Sequence, residues 1–360
     1  MLNLKEKENL ILKKCREAVM ENKSIYIYGA ATMGQILCDG LIKENIPVAG
    51  FLVDSEFYKN EETYKNVPVF CRDKIEINSD MLFFVAIGDC NEMKIHQLKE
   101  KADVLVLDVF SVFEVGGQKG LDTEFINSHQ YELEELYNEL ADDKSREHLS
   151  AYFNQKISGD LKYLQNIWEK NQYYDTGIVD LSKINVFVDC GAYDGDSYFS
   201  FLKNYKDYTG SEYKGIAYLF EPDDINYDRL SLNCKLDERC RIMKLGAGSK
   251  RSRFMFLAGG TGSRIDKSGD VFIEVDSIDN IVGGQADFIK MDIEGNELEA
   301  LKGAEQTIKK FKPALAICVY HKKEDLITIP QYIKSLCKEY KLYIRAHYKY
   351  ADELVLYAVI

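Results

Sequence analysis

The chain has 360 residues, 46% of them hydrophobic and 29% charged, which reads as a globular protein of two domains rather than a disordered or fibrous one. A net charge of −13 excludes a broad phosphate-tracking surface, because nucleic-acid binding needs clustered Lys and Arg; only a local basic pocket stays open. Nine cysteines stand singly without a C-x-x-C pair and no stretch approaches 18 apolar residues, so the sequence predicts reduced thiols, no structural zinc, no export signal, no membrane span and a cytoplasmic location.

In chain order, a helix is expected over residues 4–21. SIYIYGAATMG then reads as a strand entering a Gly turn and a helix to Leu41. Strands follow at 48–54, 81–89 and 103–109, with a helix around 91–101. Strands alternating with helices imply right-handed crossovers and a parallel sheet, so residues 1–118 read as a Rossmann-like nucleotide- or sugar-nucleotide-type domain. GAATMG keeps Gly29 and Gly34 of the G-x-G-x-x-G fingerprint but carries Ala31 where close pyrophosphate approach favours glycine, and Asp54 stands at a strand end, where a ribose contact would lie. The segment is similar to the small modules attached to sugar-modifying enzymes. Two readings follow: nucleotide or nucleotide-sugar binding, or docking and substrate presentation by a domain that has lost its ligand.

Residues 119–180 read as a helical connector. Leu133, Leu136, Leu140, Leu149, Tyr152, Phe153, Leu161, Leu164 and Trp168 recur at helical spacing, a stripe expected to pack between domains. Strand-like runs resume at 186–190, 215–221, 239–245, 287–292, 314–320, 342–347 and 353–360, with extra pieces RFMFLA and VFIEVD before the fourth. Only YKYAD separates the last two runs, too short for a crossover helix, so they should pair antiparallel. An α/β parallel sheet closing in one antiparallel strand is the class I S-adenosylmethionine (SAM) methyltransferase arrangement, expected here over residues 181–360.

Three motifs carry chemistry. In VFVDCGAYDGDS, Asp189 closes a buried strand and Gly191 and Gly195 permit a tight turn into a helix whose free N–H groups suit a carboxylate; Asp189, Asp194 and Asp196 suit a cofactor carrying ammonium and sulfonium rather than phosphates. Glu221, before Pro222, ends the next strand, where an acid can accept both ribose hydroxyls. DFIKMDIEGNELEALKGA delivers Asp292 and Glu294 to the carboxyl edge of the sheet, with Gly295 turning the chain and Asn296 placed to cap a helix.

With VFVDCGAYDGDS, YLFEPD, VDSID, FIKMDIEGNELEALKGA and ELVLYA together, residues 184–360 resemble the FkbM-type SAM-dependent methyltransferases. The resemblance implies SAM as cofactor and O-methylation of a hydroxyl on a sugar, glycan or secondary metabolite, with a place in polysaccharide biosynthesis. It assigns Asp189, Gly191, Ala192, Asp194, Gly195 and Ser197 to the methionine-end loop and Glu221 with Pro222 to the ribose. Asp292 and Glu294 would border the transferred methyl. LGAGSK at 245–250 lacks the acid suited to the adenine amino group, leaving backbone groups of Gly246 and Ala247 as substitutes.

A sugar hydroxyl is a weak acid, so a base is wanted near the transferred methyl, and His321, directly after the strand ALAICVY, is preferred over His347. The competing account is a divalent metal held by Asp292, Glu294 and His321; it is possible but not the preferred reading. LAGGTGSRID (257–266) reads as a lid bringing Arg264 to an anionic acceptor, or as a hairpin tip. The expected partner is a small-molecule or glycan substrate, free or nucleotide- or lipid-linked, with no nucleic acid and the oligomeric state open. Alternatives from other classes are a non-catalytic scaffold or nucleotide-sugar-binding protein in glycan assembly, and a nicotinamide oxidoreductase built on Gly29, Gly34 and Asp54.

Overall fold

The computed structural model describes residues 2–86, 92–106, 108, 121, 123–257, 264–265, 269, 271–348 and 353–360. Near the N-terminus, strands β1 (Ser24–Tyr28), β2 (Gly50–Val53), β3 (Thr63–Tyr64), β4 (Val67–Cys71), β5 (Met81–Val85) and β6 (Asp103–Val106) form one sheet in the order β3-β4-β2-β1-β5-β6. All pairs are parallel except β3 with β4. The β3–β4 hairpin lies between the strands expected at 48–54 and 81–89, where the sequence reading placed no element. Pro68 pairs with Thr63 of the outermost strand, and Lys65 and Asn66, at φ 49° and 67°, form the left-handed two-residue turn that matches strand twist.

The first helix begins at Leu10 rather than residue 4, with Asn9 accepting from the Ile11 amide. The amides of Lys5 and Glu6 donate instead to Asn154 Oδ1 at 2.7 and 3.0 Å. Asn154 lies on the helix Asp143–Ser158, which is buried along most of its length. That helix is held to the C-terminal sheet by backbone as well as side chains: Ser145 Oγ accepts from Ile344 N, and His148 Nδ1 from Ala346 N, both at 3.0 Å. The connector stripe is buried apart from half-buried Trp168. Leu133, Leu136, Leu149 and Phe153 share one core with Ile289, Leu315 and Leu356 of the C-terminal sheet. The stripe therefore completes the C-terminal core, where the sequence reading set it between domains.

The C-terminal sheet contains β7 (Val186–Cys190), β8 (Ile216–Phe220), β9 (Cys240–Met243), β14 (Phe288–Met291), β15 (Ala314–Cys318), β16 (Lys341–Ala346) and β17 (Leu354–Val359), ordered β16-β17-β15-β14-β7-β8-β9. Its strands are parallel except β17, which pairs antiparallel with both β15 and β16. This is the class I methyltransferase arrangement that the short final connection implied. The extra pieces form a separate small sheet of β10 (Gly246–Ala247), β11 (Ser252–Leu257), β12 (Arg264–Ile265) and β13 (Val271–Asp276), ordered β10-β13-β11-β12. Strand order reverses between β7 and β14, which opens a crevice beyond their carboxyl ends.

Candidate active site in the C-terminal crevice

A cavity of about 500 Å³ fills that crevice. One side is the turn after β7. Gly191 has φ +80°, and a Cβ there would sit 1.9 Å from the Asp292 carbonyl oxygen. Neither the conformation nor the space admits a side chain. Gly195, at φ 98°, starts the helix Asp196–Thr209, and Ser197 in its first turn lines the cavity.

Asp189 does not reach the cavity. Fully buried beneath the turn, it accepts from Ser197 Oγ at 2.5 Å and pairs with Lys290 Nζ at 3.0 Å. Lys290 also donates to the Gly191 carbonyl at 2.7 Å and sits 5.2 Å over the Tyr173 ring. Burial pushes the Asp189 carboxyl up against the pull of Lys290, while the surrounding carboxylates keep the Lys290 amine protonated. Asp189 and Lys290 thus form an ion pair that sets the turn from below. Ala192 is fully buried, and Asp194 and Gly195 shape the turn without lining the cavity.

Glu221, after β8, lines the cavity with Pro222. Its carboxylate accepts from the amides of Tyr193 and Asp223, both at 2.9 Å. Burial raises its pKa to about 7, against the opposing effect of those two bonds. Gly246 and Ala247 line another wall, but the Ala247 carbonyl already accepts from Asn296 Nδ2 at 2.8 Å. Phe256, Ile265 and Ile273 of the small sheet add an apolar face.

Across the cavity, β14 delivers Asp292, and Glu294 and Gly295 follow at φ 54° and 92°. Two successive left-handed residues fold the strand end back on itself. At Glu294 that conformation costs about 1–3 kcal/mol. Asp292 and Glu294 line the cavity, with Tyr173, Tyr320 and Glu353 beside them. Tyr173 donates to Asp292 Oδ2 at 2.7 Å and Tyr320 to Oδ1 at 3.4 Å. His321 stands behind: its side chain is 8% exposed, with Nε2 3.5 Å from Asp292 Oδ1 and 3.8 Å from Glu294 Oε2. Its Nδ1 lies 2.9 Å from Glu297 Oε1, a fully buried carboxylate. Burial alone would lower the imidazole pKa, but Glu297, Asp292 and Glu294 outweigh it and raise it to about 9.

The other histidine considered, His347, is buried and bonded to Glu169 O at 2.9 Å and Tyr357 Oη at 2.7 Å, and burial lowers its pKa to about 4. It is a neutral structural group. Of the lid segment, Arg264 pairs through its backbone with Leu257, and residues 258–263 and 266 lie outside the described residues. In the N-terminal sheet, Asp54 is already engaged by Tyr28 Oη at 2.9 Å, Lys94 Nζ at 2.6 Å and Arg72 at 3.5 Å.

The sequence reading missed Lys290, Tyr173, Glu353 and Glu297. Lys290 alone carried a local signal, since a lysine inside a strand buried on both faces must find a partner.

Residues 189–346 match the family model described as the methyltransferase FkbM domain. The crystal structure of a methyltransferase FkbM from Methylobacillus flagellatus is 23% identical, covers 95% of this chain and 92% of its own, and superimposes with a TM-score of 0.73. Fibrillarin from Aeropyrum pernix with bound S-adenosyl-L-methionine (10% identity, 50% of this chain and 69% of its own, TM-score 0.31) and an rRNA methylase from Streptococcus thermophilus (11%, 52% and 91%, 0.32) align more remotely. The search of curated proteins returns no match. Among the described residues, no helix is long and apolar enough to cross a membrane.

Proposed function

We propose that this chain, whose residues 189–346 match the methyltransferase FkbM domain, is a SAM-dependent methyltransferase that acts on a hydroxyl of a sugar, glycan or secondary metabolite. The observation that carries this is the single cavity joining the Gly191 turn and Glu221 to Asp292 and Glu294. One wall suits the cofactor and the other suits an acceptor with a proton to lose.

The methionine end of SAM lies by Gly191 and Ser197, on a turn held by Asp189 and Lys290, with Ala192, Asp194 and Gly195 fixing its shape. Glu221 and Pro222 take the ribose, and Gly246 and Ala247 border the adenine with the apolar face of the small sheet. The acceptor oxygen attacks the methyl carbon in line as the carbon–sulfur bond breaks, and its electron pair stays on sulfur. The acceptor proton passes to the cluster of Asp292, Glu294 and His321, whose two carboxylates face the cavity. The raised pKa means that His321 does not start as a free base at neutral pH, so we place first proton contact at the carboxylates. Most of the acceleration comes from holding nucleophile, methyl and sulfur in register away from water.

The test uses purified full-length chain and SAM with a labelled methyl group. Saturable SAM binding and label transfer to a polyhydroxylated acceptor are expected, with transfer falling at least about 100-fold in Asp292→Asn while SAM still binds. Absence of SAM binding would remove the proposal.

A further inference from the structure

We propose that Asp292, Glu294 and His321 form a binding site for one divalent cation of the Mg²⁺ or Mn²⁺ class, open to the cavity on its carboxylate side. The site rests on the methyltransferase reading only for its role, since the cation would hold and acidify the acceptor oxygen, whose proton would then pass to water in the cavity rather than to the two ligating carboxylates; the binding itself stands on geometry.

One ligand atom from each of the three residues lies within 4.8 Å of the others. The separations from His321 Nε2, 3.5 Å to Asp292 Oδ1 and 3.8 Å to Glu294 Oε2, are close to those an ion imposes. With bonds of roughly 2.1 Å, ligands are about 3.0 Å apart at octahedral and about 3.4 Å at tetrahedral angles. From His321 Nε2 the two carboxylates would close by about 0.1–0.4 Å to reach tetrahedral angles and by about 0.5–0.8 Å to reach octahedral ones.

The second observation is His321 itself. Its side chain is more than nine-tenths buried, and among the described residues Nε2 makes no hydrogen bond, only the two ion-pair approaches to Asp292 and Glu294. Nε2 is aimed between two carboxylates at separations long for a hydrogen bond, a gap that a cation bonded to all three would close.

The surroundings orient each ligand. Glu297, fully buried, faces Nδ1 at 2.9 Å, which fixes a proton there, so that a bound cation would take the place of the second proton at Nε2; such carboxylate–histidine pairs recur behind metal-bound imidazoles. Glu297 is itself held by the amides of Ile293 and Gly295 at 3.0 and 3.4 Å. Tyr173 donates to Asp292 Oδ2, the oxygen other than the one nearest Nε2. The left-handed backbone at Glu294 brings the second carboxylate back beside the first. Two hard oxygens and one imidazole suit Mn²⁺ and Mg²⁺, and no thiolate favours a softer ion.

The experiment is titration of chelator-treated full-length protein with Mn²⁺ alone, read by calorimetry and by electron spin echo spectroscopy, with SAM binding measured separately on the metal-free protein. One saturable site is expected, with nitrogen modulation from a directly bound imidazole. Glu294→Gln should weaken Mn²⁺ about tenfold or more and keep the nitrogen signal; His321→Gln should abolish that signal. No saturable Mn²⁺ binding, or binding without nitrogen coupling in the unaltered protein, would overturn the site even if either variant fails to fold. SAM binding without Mn²⁺ binding sinks this inference and leaves the methyltransferase reading intact; Mn²⁺ binding without SAM binding does the reverse.

Discussion

Both large sheets place a glycine turn after their first strand and an acid after their second: Gly29 and Asp54 in one, Gly191 and Glu221 in the other. The difference lies in what already holds the acid. Asp54 is bonded by Tyr28 and Lys94 and paired with Arg72, so its charge is spent inside the fold. Among the described residues, Glu221 is hydrogen-bonded by two backbone amides only, and it faces a cavity. A strand-end acid becomes a ligand group when the fold leaves its remaining acceptor capacity unfilled, and spacing from a glycine turn does not reveal that.

The largest effect should come from removing the charge beneath the second turn. Lys290→Met leaves Asp189 buried without its cation, and a loss of about 3–5 kcal/mol in unfolding free energy is expected by denaturant titration. Asp54→Asn, which breaks partly exposed pairs, should cost about 1 kcal/mol or less in the same measurement. If the two costs are equal, the contrast between the sheets is wrong.

Next comes the turn itself. Gly191→Ala meets both a left-handed φ and the Asp292 carbonyl, whereas Gly34→Ala meets the Gly29 carbonyl at the same 1.9 Å. Both should destabilise by about 2 kcal/mol or more, but only Gly191→Ala should weaken SAM binding in variants that remain folded, as calorimetry would show.

Glu221→Gln should weaken SAM about 10–100-fold through loss of charge-assisted bonds to ribose, and Asp54→Asn should leave SAM affinity within about twofold. An unaltered Glu221→Gln affinity would remove the ribose assignment.

The smallest expected effect is a pH dependence. With the Glu221 pKa raised to about 7, SAM affinity should decline as pH falls below about 7, and Glu221→Gln should flatten that profile. The sign for stability is opposite. A carboxyl raised from 4.5 to about 7 binds its proton more tightly in the folded state, so its stabilising contribution is full below pH 4.5 and is lost as pH rises to about 7. Melting temperatures of the empty protein and Glu221→Gln across that window would check it.

Much of this was legible in the sequence because the signals were local. Val186–Cys190, Phe288–Met291 and the short link before Leu354–Val359 gave strands, direction and the antiparallel end, and the acids at strand termini marked the edge that carries the crevice. What escaped depended on distant partners. Tyr173 reaches Asp292 across 119 positions, and Lys290 meets Asp189 from a separate strand. Glu297 reads as one more charge on a Glu-rich helix, yet it is fully buried against His321. The His321 proton affinity was illegible for the same reason: three carboxylates set it, and only folding gathers them.

The helix Asp143–Ser158 takes the outward amides of Ile344 and Ala346 on Ser145 and His148. Excising the catalytic half at the first strand of its sheet would therefore uncover an adhesive margin of unpaired amides next to bared leucines. Such a fragment should self-associate, so any minimal version of this enzyme must keep the segment that looks, on paper, like a spacer.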